Sequence, residues 1–592
     1  MVLPGVPDLF FPPETLREYA LLADGERGAL IGPRGDVAFL CAPRWHDDAV
    51  FASLIGGSGH YAVTPCDPWF TWGGHYEEGT LIWRSRWVTS TSIIECREAL
   101  ALPSDTGKAV LLRRVEAHRG DAHVRVALDA RAGYGADQMA LRAAAPGVWE
   151  GGCGPLLLRW TGAPDGVVQQ GSSITGDLVV PEGGHHDLVL EIGLGAPNCA
   201  LVDPDEAWRR TADGWASDSP SVEGALGPGD VRHSYAVLRG LTSSSGGMVA
   251  AATMSLPERA DEGRSYDYRY AWIRDQCYAG QAAAVVGGGP LLDAAVRFVS
   301  ERLLADGPDL KPAYTVDGGA VPDQRHLDLP GYPGGADIVG NHVNRQFQLD
   351  ALGEALLLLA AAAGADRLGA QGDAAVDVAV DAICARRHDV DAGIWELDNR
   401  HWAHSRLICA AGLRAMAAHR TKAEGERWTD LADRIVADVD RDCRHPSGRW
   451  QRSPDDPRSD AALLMAALRG AVPPDDPRSV ATWAAVRQDL GRDGYVYRFR
   501  QDDRPLHEAE GAFVLCGFQM ALATHQQGRT VEAVRWFERN RAAMGSPGLF
   551  AEEFDVVERQ LRGNLPQAFV HALHVETARR LSEPSVGRPG AT

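Results

Sequence analysis

The order of apolar and polar positions divides the chain into two parts with different textures, which meet near residue 245. In the first part, short apolar stretches alternate with clusters of Gly, Asp and Pro at fairly regular intervals, a pattern typical of an antiparallel β-sandwich. Residues 28–41 hold two such stretches around a Gly-Pro-Arg-Gly turn, which predicts a β-hairpin. Further strands are predicted at 80–88, 92–99, 109–117, 122–130, 155–161 and 186–193.

The second part follows a small, polar stretch at 241–247 and is dominated by Ala-rich segments of helical length. It has no repeat of fixed period, so it predicts an all-α toroid or large bundle rather than a TPR or ankyrin array. We therefore predict a β-sandwich domain at 1–245, a linker at 246–256, a helical domain at 257–582 and a flexible tail at 583–592. Helices are predicted at 290–304, 345–363, 374–386, 404–418, 423–440, 459–468, 484–489, 509–524, 530–543 and 567–581.

Composition and charge narrow the class of protein. The chain has 592 residues, of which 45% are apolar, and its 59 Lys and Arg against 80 Asp and Glu give a formal charge of −21. This acidic balance argues against nucleic acid or an anionic membrane as a partner. Ten scattered cysteines without paired spacing predict free thiols in a reducing compartment. With no recognisable signal sequence and no apolar run long enough to span a bilayer, we expect a soluble, cytoplasmic protein.

Three segments in the helical part combine Trp, Arg or aromatic residues with carboxylates: YDYRYAWIRD at 266–275, GIWE at 393–396 and GLFAEEFD at 548–555. Binding a neutral sugar takes bidentate polar groups such as Arg and Asp beside an aromatic face. Cleaving its glycosidic bond takes two carboxyl groups, one protonated and one ionised. The three segments supply this set, although the residue types alone support surface glutamates and a structural ion pair about equally well.

The motifs also occur in the order found in a known family. The three segments above are similar to parts of bacterial members of glycoside hydrolase family 15, the glucoamylase and trehalase family, as are segments 19–44, 249–258, 331–335, 340–350 and 563–569. The resemblance implies a multidomain fold in which an N-terminal antiparallel β-sandwich is followed by an all-α (α/α)6 barrel. It implies no cofactor and no metal. The histidine pairs at 185–186, 401/404 and 571/574 lack a matched set of ligands and predict hydrogen-bonded structure instead.

The resemblance further implies a role for individual residues of the three segments. Glu396 matches the general acid and should keep its proton through partial desolvation, whereas Glu552 matches the general base and should stay ionised. Glu553 should turn away from the site, because neighbouring side chains on an extended segment point in opposite directions. The substrate-binding residues implied are Arg274 and Asp275, which hydrogen-bond the terminal glucose, Trp272 and Trp395, which form aromatic walls, and Tyr268, which lies near the base and the water.

Three departures from the family pattern concern the leaving-group side of the site. Ile338 stands where relatives often carry Arg, segment 408–414 lacks a common Trp, and segment 276–278 is unusual. The expected function is an inverting hydrolase that releases glucose from short α-glucosides or splits trehalose, with its two catalytic carboxyls about 6.5–9.5 Å apart. Two alternatives stay open: a glycoside phosphorylase of similar architecture, and a catalytically inactive sugar-binding homologue. The expected partner is a disaccharide or small oligosaccharide, and a homo-oligomer is compatible with the sequence.

Overall fold

The structure, a computed structural model, describes residues 11–195, 200–259 and 263–584. These residues form two compact units. Residues 11–77, 81–195, 200–213 and 327–337 belong to the first unit, and residues 78–80, 214–259, 263–326 and 338–584 belong to the second. Within these ranges, no helix combines the length and the apolar content that crossing a membrane needs. The nine cysteines in the described part of the chain are free thiols.

The first unit is built of antiparallel strands. Two of them form the hairpin that the sequence predicted at 28–41. The strands are β1 (Ala20–Ala23), β2 (Gly28–Ile31), β3 (Val37–Cys41), β4 (Ala49–Phe51), β5 (His60–Pro65), β6 (Thr71–Tyr76), β7 (Trp83–Val88), β8 (Ile93–Leu100), β9 (Lys108–Arg119), β10 (Ala122–Asp129), β11 (Arg131–Ala132), β12 (Asp137–Ala145), β13 (Val148–Cys153), β14 (Leu156–Thr161), β15 (Val168–Gln170), β16 (Ser173–Val180) and β17 (His185–Gly193), and helix α1 (Pro204–Ala216) follows them.

These strands form three sheets around one core. Their orders are β1-β2-β3-β4, β15-β16-β10-β5 and β11-β12-β13-β14-β17-β9-β8-β7-β6. Alternate residues of a strand face the same side, and Val124, Val126 and Leu128 of β10 accordingly lie in the core to which all three sheets contribute. The antiparallel β-sandwich is therefore confirmed, and the six strands predicted beyond the hairpin correspond to β7–β10, β14 and β17.

The second unit is mainly helical, with short strand pairs in its loops. The helices are α2 (Pro228–Gly240), α3 (Ile273–Val285), α4 (Gly289–Asp306), α5 (Leu349–Gly364), α6 (Gly369–Arg386), α7 (Ala403–Ala417), α8 (Lys422–Cys443), α9 (Met465–Leu468), α10 (Pro477–Asp489), α11 (Leu506–Ala509), α12 (Val514–Gln526), α13 (Thr530–Arg541) and α14 (Ala568–Arg580). The strands are β18 (Ala271–Trp272), β19 (Ala313–Tyr314), β20 (Arg325–His326), β21 (Ile338–Val339), β22 (Gly491–Arg492), β23 (Tyr495–Val496), β24 (Ala512–Phe513), β25 (Glu553–Asp555) and β26 (Gln560–Arg562).

Six helices of this unit form a closed inner ring. Each contacts the next in the order α3, α5, α7, α9, α12 and α14, and α14 returns to α3, while α2, α4, α6, α8, α10 and α13 pack outside. The inner helices are buried almost throughout, and at Gly353 an added Cβ would lie only 2.6 Å from the backbone of Ile408, so α5 and α7 approach closely there. This double ring is the (α/α)6 barrel that the sequence predicted.

The boundary between the units differs from the predicted one at residue 245. The N-terminal part of the first unit ends at Asp213, within α1, and α2 belongs to the helical unit. Residues 327–337, predicted as part of the helical domain, belong to the first unit. Neither α1 nor α2 has the Ala-rich texture of the later helices, so a boundary drawn from texture assigned both to the β-rich part. Residues 248–256, predicted as linker, are buried in the helical unit. The predicted tail at 583–592 lies outside the described residues from position 585 onward.

Candidate active site

A cleft with about 1050 Å³ of empty space opens at one end of the helical ring. Its walls come from the loops that enter the inner helices α3, α5, α7, α12 and α14 and from the first turns of α3 and α14. Because each of these loops runs from an outer helix into an inner one, all of them emerge at the same end of the ring. Of the seven predicted site residues, five line the cleft, namely Tyr268, Arg274, Trp395, Glu396 and Glu552.

Glu396 sits in a tight loop between α6 and α7. The buried carboxylate of Asp391 accepts hydrogen bonds from the backbone N–H of Gly393 and from the hydroxyl of Ser405, both at 2.8 Å, and so fixes the start of the loop. Glu396 itself has a φ of 54°, in the left-handed region. A residue with a side chain reaches this region at a cost, and such residues are concentrated at functional sites. The loop therefore holds this carboxyl in a defined, strained position.

The carboxyl of Glu396 is held by groups from the start of α3. The indole Nε1 of Trp272 donates to Glu396 Oε1 at 2.7 Å, and Nη2 of Arg274 lies 3.8 Å from the same oxygen. Trp272 is only 1% exposed. The expectation that Trp272 forms an aromatic wall is therefore not what the geometry shows, since this ring is buried and reaches the site through its N–H edge.

Arg274 and Asp275 occupy the first turn of α3. The Arg274 guanidinium donates to the carbonyl of Ile394 at 3.0 Å and lies 3.3 Å from Asp275. Asp275 is buried beneath it, away from the cleft. Burial raises the pKa of Asp275 to about 6 against the opposing effect of Arg274, and the same two effects bring the pKa of the neighbouring Asp350 to about 6. Arg274 therefore presents a cation to the cleft with carboxyls behind it.

Trp395 forms an aromatic face of the cleft. Its indole Nε1 donates to Asp460 Oδ1 at 2.9 Å, and Asp460 also accepts from Nε of Arg452 at 3.0 Å. The ring meets Phe513 edge-on, with centroids 5.2 Å apart. A hydrogen bond at one edge and a ring contact at another fix the plane of the indole, as stacking on a sugar ring requires.

Glu552 lies in the loop before α14 and faces the cleft. The hydroxyl of Tyr268 donates to Glu552 Oε1 at 3.2 Å. Burial, and after it the negative charge of Glu258, raise the pKa of Glu552 well above its ordinary value, while Arg498 acts in the opposite direction. This differs from the expectation that Glu552 simply stays ionised. The sequence indicated the residue but not the carboxyls around it.

Glu553, the next residue, points away from the cleft. It begins β25, is fully buried and accepts the backbone N–H of Gly511 at 2.8 Å. Its other oxygen accepts from Nη2 of Arg498 at 3.1 Å. The two adjacent glutamates thus have separate surroundings, as side chains that alternate along an extended segment do.

Sequence reasoning missed several polar residues of the cleft. Glu258 ends a segment that belonged to the family resemblance, but it carried no assigned role. Arg498 follows β23 in a segment without a recognised motif, and only its position in the fold brings it to the cleft. Other polar residues of the lining are Arg264, Gln324, Asn341, His342, Gln346 and Gln501.

The histidine pair at 571/574 and the acidic clusters elsewhere have structural partners. His571 and His574 share the hydroxyl of Ser234, each at 3.0 Å through Nδ1, and burial lowers the pKa of both, so they are neutral hydrogen-bonded groups. Among the described residues, two clusters have the spacing of metal ligands. An arginine bridges the carboxylates of each, Arg84 in the first and Arg114 in the second. The clusters are Glu95, Glu116 and His118, and His185, Asp187 and Asp205.

Comparison with known proteins agrees with this architecture. Trehalase of Mycobacterium tuberculosis is 28% identical over 607 residues, which cover 95% of this chain and 88% of the relative. Trehalase of Mycolicibacterium smegmatis is 27% identical over 609 residues, covering 95% and 90%. The fold is similar to that of a bacterial glucoamylase complexed with acarbose, with a TM-score of 0.69 and 13% identity over 99% of this chain and 96% of that one.

Two family models match adjoining parts of the sequence. The model described as trehalase-like, N-terminal matches residues 13–215, which hold the β-sandwich. The model described as glycosyl hydrolases family 15 matches residues 232–579, which include every residue of the cleft and all of the inner ring except Arg580, the last residue of α14. This match extends over more than half of the chain, and the chain therefore belongs to the glycosyl hydrolases of family 15.

Proposed function

We propose that this glycoside hydrolase is an inverting enzyme that splits trehalose, or releases glucose from the non-reducing end of other short α-glucosides. Glu396 is its general acid and Glu552 its general base. The observation that carries the proposal is that these two carboxyls come from different loops, line one cleft and have different hydrogen-bond donors. The two trehalases that resemble the chain over nearly its whole length support trehalose as the first substrate to test.

In this mechanism the two carboxyls act on opposite faces of the sugar. Glu396 gives its proton to the glycosidic oxygen as the bond from that oxygen to the anomeric carbon breaks. Glu552 accepts a proton from a water molecule whose oxygen bonds to the same carbon, so the configuration at the carbon inverts. Because the Trp272 N–H occupies Oε1 of Glu396, the transferable proton belongs on Oε2. The Tyr268 hydroxyl orients Glu552 toward the water.

The remaining lining residues bind and orient the sugar. Arg274 offers a guanidinium to the hydroxyls of the terminal glucose, and Trp395 offers an indole face to its C–H groups. Asp275 is buried behind Arg274, so its role is to fix that guanidinium rather than to touch the sugar. A sugar that fills the cleft displaces water other than the one that attacks, which strengthens each of these interactions.

A phosphorylase is the main alternative, and the charges of the cleft disfavour it. Attack by phosphate needs cations that are not already neutralised. Arg498 lines the cleft, but its Nη2 lies 2.8, 3.1 and 3.4 Å from the carboxylates of Glu510, Glu553 and Glu258. A phosphate at that position would face three carboxylates, so water is the better nucleophile here. An inactive sugar-binding protein would not need the paired acid and base that the cleft retains.

The stereochemistry of trehalose cleavage tests the proposal. Trehalose joins two α-glucosyl units through their anomeric carbons. Inversion at one carbon therefore releases one β-glucose and one α-glucose, whereas retention releases α-glucose alone. Early proton NMR spectra, recorded before mutarotation, should show both anomers in equal amounts. Spectra that contain only α-glucose would exclude inversion, and glucose 1-phosphate formed only in the presence of phosphate would favour the phosphorylase. Maltose, isomaltose, nigerose and maltotriose should be assayed in parallel to fix the linkage.

A further inference from the structure

Glu258 lies beside Glu552 on the floor of the cleft. The two side chains line the same cleft. Gly563 packs against both: an added Cβ there would lie 3.3 Å from Oε2 of Glu552 and 3.7 Å from Cγ of Glu258. Its backbone N–H donates to the carbonyl of Pro257 at 2.8 Å and ties the two loops together. The fold therefore brings these two carboxyl-bearing side chains close together.

The carboxyls in this region outnumber the cations. Glu510 and Glu553 have the short contacts to Arg498, at 2.8 and 3.1 Å, whereas Glu258 lies 3.4 Å from Arg498 and 3.8 Å from Arg264. With Glu552, four buried glutamates surround two arginines. If all were ionised, an excess of two negative charges would lie on largely buried side chains. The groups that face the pair are Arg264, Tyr266, Tyr268, Arg498, Glu510 and Glu553.

A contact between two carboxyls requires a proton. Two carboxylates have only acceptor atoms, so they can hydrogen-bond each other only when one of them is protonated. With both ionised, the buried Oε2 of Glu552 finds no donor among the described residues. Burial raises the pKa of both Glu258 and Glu552, and the charge of each disfavours ionisation of the other. Together the geometry and the charges favour one proton held between them.

We propose that Glu258 and Glu552 share one proton, and that Glu258 holds it while Glu552 accepts the proton of the attacking water. Glu258 is then a positioning residue that acts through Glu552. This inference rests on the proposed function for its kinetic consequence, but the shared proton is a property of the folded protein with or without substrate. It also explains how a carboxyl buried among other acids can serve as a base.

The proton balance of the step is simple. Before attack, the O–H of Glu258 donates to the ionised Glu552, as does the O–H of Tyr268. During attack, one O–H bond of water breaks, its proton binds Glu552, and the water oxygen bonds to the anomeric carbon. Glu396 supplies a proton to the leaving oxygen in the same step. After product release, Glu552 loses the added proton to solvent and Glu396 regains one, so the pair again holds a single proton.

The pH dependence of stability tests the shared proton without any substrate. A carboxyl whose pKa is raised on folding stabilises the folded state fully below its unfolded pKa, and this stabilisation is lost as pH rises through the folded pKa. Glu258→Gln removes that loss. The urea midpoint of this variant should therefore rise relative to wild type as pH increases from about 5 to 8. An ionised, arginine-paired Glu258 predicts the opposite, namely a difference that is flat or falls over this range.

Glu510→Gln is the matched control. It removes a carboxylate from the same two arginines, but Glu510 has its short contacts with Arg498 and Gln501 rather than with Glu552. Removing the charge of Glu510 weakens the repulsion at Glu258 but leaves the Glu258–Glu552 pair in place. The urea midpoint of this variant, relative to wild type, should therefore rise less between pH 5 and 8 than that of Glu258→Gln. An equal rise in both variants would show that the effect belongs to the total charge of the region, and the specific pair would be rejected.

A pair of substitutions at residue 258 tests the kinetic role. Gln can donate an N–H to ionised Glu552 and so imitates protonated Glu258, whereas Met fills similar volume without a donor. A hydrogen bond to the ionised form lowers a pKa, so Glu552 should stay protonated to higher pH in Glu258→Met. The acid limb of kcat/KM should lie at higher pH in the Met variant, with a value at pH 6 about tenfold below that of the Gln variant. Identical acid limbs would reduce Glu258 to a structural role.

Failure of the proposed function can be told apart from failure of this inference. If wild type cleaves no glucoside, the proposed function fails, while the urea experiment still decides whether the proton is shared.

Discussion

The two carboxyls that we propose for catalysis, Glu396 and Glu552, line the same cleft but have very different neighbours. Glu396 exposes 26% of its side chain and is held by an indole N–H, with a guanidinium nearby. Glu552 is buried, and its neighbours include three further glutamates around two arginines. Burial and the neighbouring acids raise the pKa of Glu552. Taken alone, that environment would suggest an acid rather than the base that the family resemblance implies.

The protonation state of a buried carboxyl depends on the titratable groups around it, because coupled groups share their protons. A proton bound by the Glu258–Glu552 pair leaves Glu552 ionised whenever Glu258 carries it. At Glu396, Trp272 occupies only one oxygen, so the other can carry the proton for the leaving group. The comparison shows that burial alone does not decide whether a carboxyl acts as acid or base. The neighbouring groups with which it can exchange a proton matter as well.

The largest effect should come from replacing the two carboxyls themselves. Glu396→Gln and Glu552→Gln should each lower turnover of trehalose by roughly 10²–10⁴-fold, the range for loss of general acid or base assistance. The two should separate on α-glucosyl fluoride, because fluoride leaves without protonation. We expect Glu396→Gln to regain most of its activity on this substrate and Glu552→Gln to regain little. Steady-state rates on both substrates provide the measurement.

A reversed pattern in that experiment would exchange the roles of the two residues. Rescue of Glu552→Gln by the fluoride, with Glu396→Gln still inactive, would make Glu552 the acid. Circular dichroism of both variants serves as the control for folding. Equal rescue would contradict the division of labour between the two loops.

The sequence predicted most of the inner helices and pointed to Glu396 and Glu552, but it did not predict which side chains surround each of these carboxyls. Five of the six inner helices lie where Ala-rich segments predicted helices, and the three motifs indicated both carboxyls that we propose for catalysis. Helix α3, which completes the inner ring, was not predicted, and α1 and α2 were missed because they lack the Ala-rich texture. Glu258 and Glu552 come together from two loops far apart in the sequence, and no local pattern encodes their proximity. Arg498 was missed for the same reason, and so was the burial of Trp272, which depends on how β18 pairs with β19.

Removing one donor from each carboxyl should have an intermediate effect. Trp272→Phe deletes the N–H that binds Glu396, and Tyr268→Phe deletes the O–H that binds Glu552. Each bond involves a group that is charged at some stage of the reaction, so each loss should lower kcat for trehalose by roughly 10- to 100-fold. With α-glucosyl fluoride, the defect of Trp272→Phe should shrink, whereas that of Tyr268→Phe should persist. If α-glucosyl fluoride changed the kcat defects of both variants equally, the two donors would not act on separate carboxyls.

The smallest effect on turnover should come from Glu553, although it adjoins the base. Its two oxygens accept from Gly511 N and Arg498 Nη2, so it holds the loop and the arginine rather than the water. In Glu553→Gln, the amide NH2 must face one of these donors, and one hydrogen bond is lost, at a cost of about 1–3 kcal/mol in folding free energy. We therefore expect a lower apparent Tm with less than about a tenfold loss in kcat.

Glu552→Gln should show the opposite, a large loss of kcat with little change in Tm. If Glu553→Gln were inactive and Glu552→Gln nearly normal, with both variants folded, the base would be Glu553. The contacts of the two side chains argue against that outcome, since only Glu552 lines the cleft.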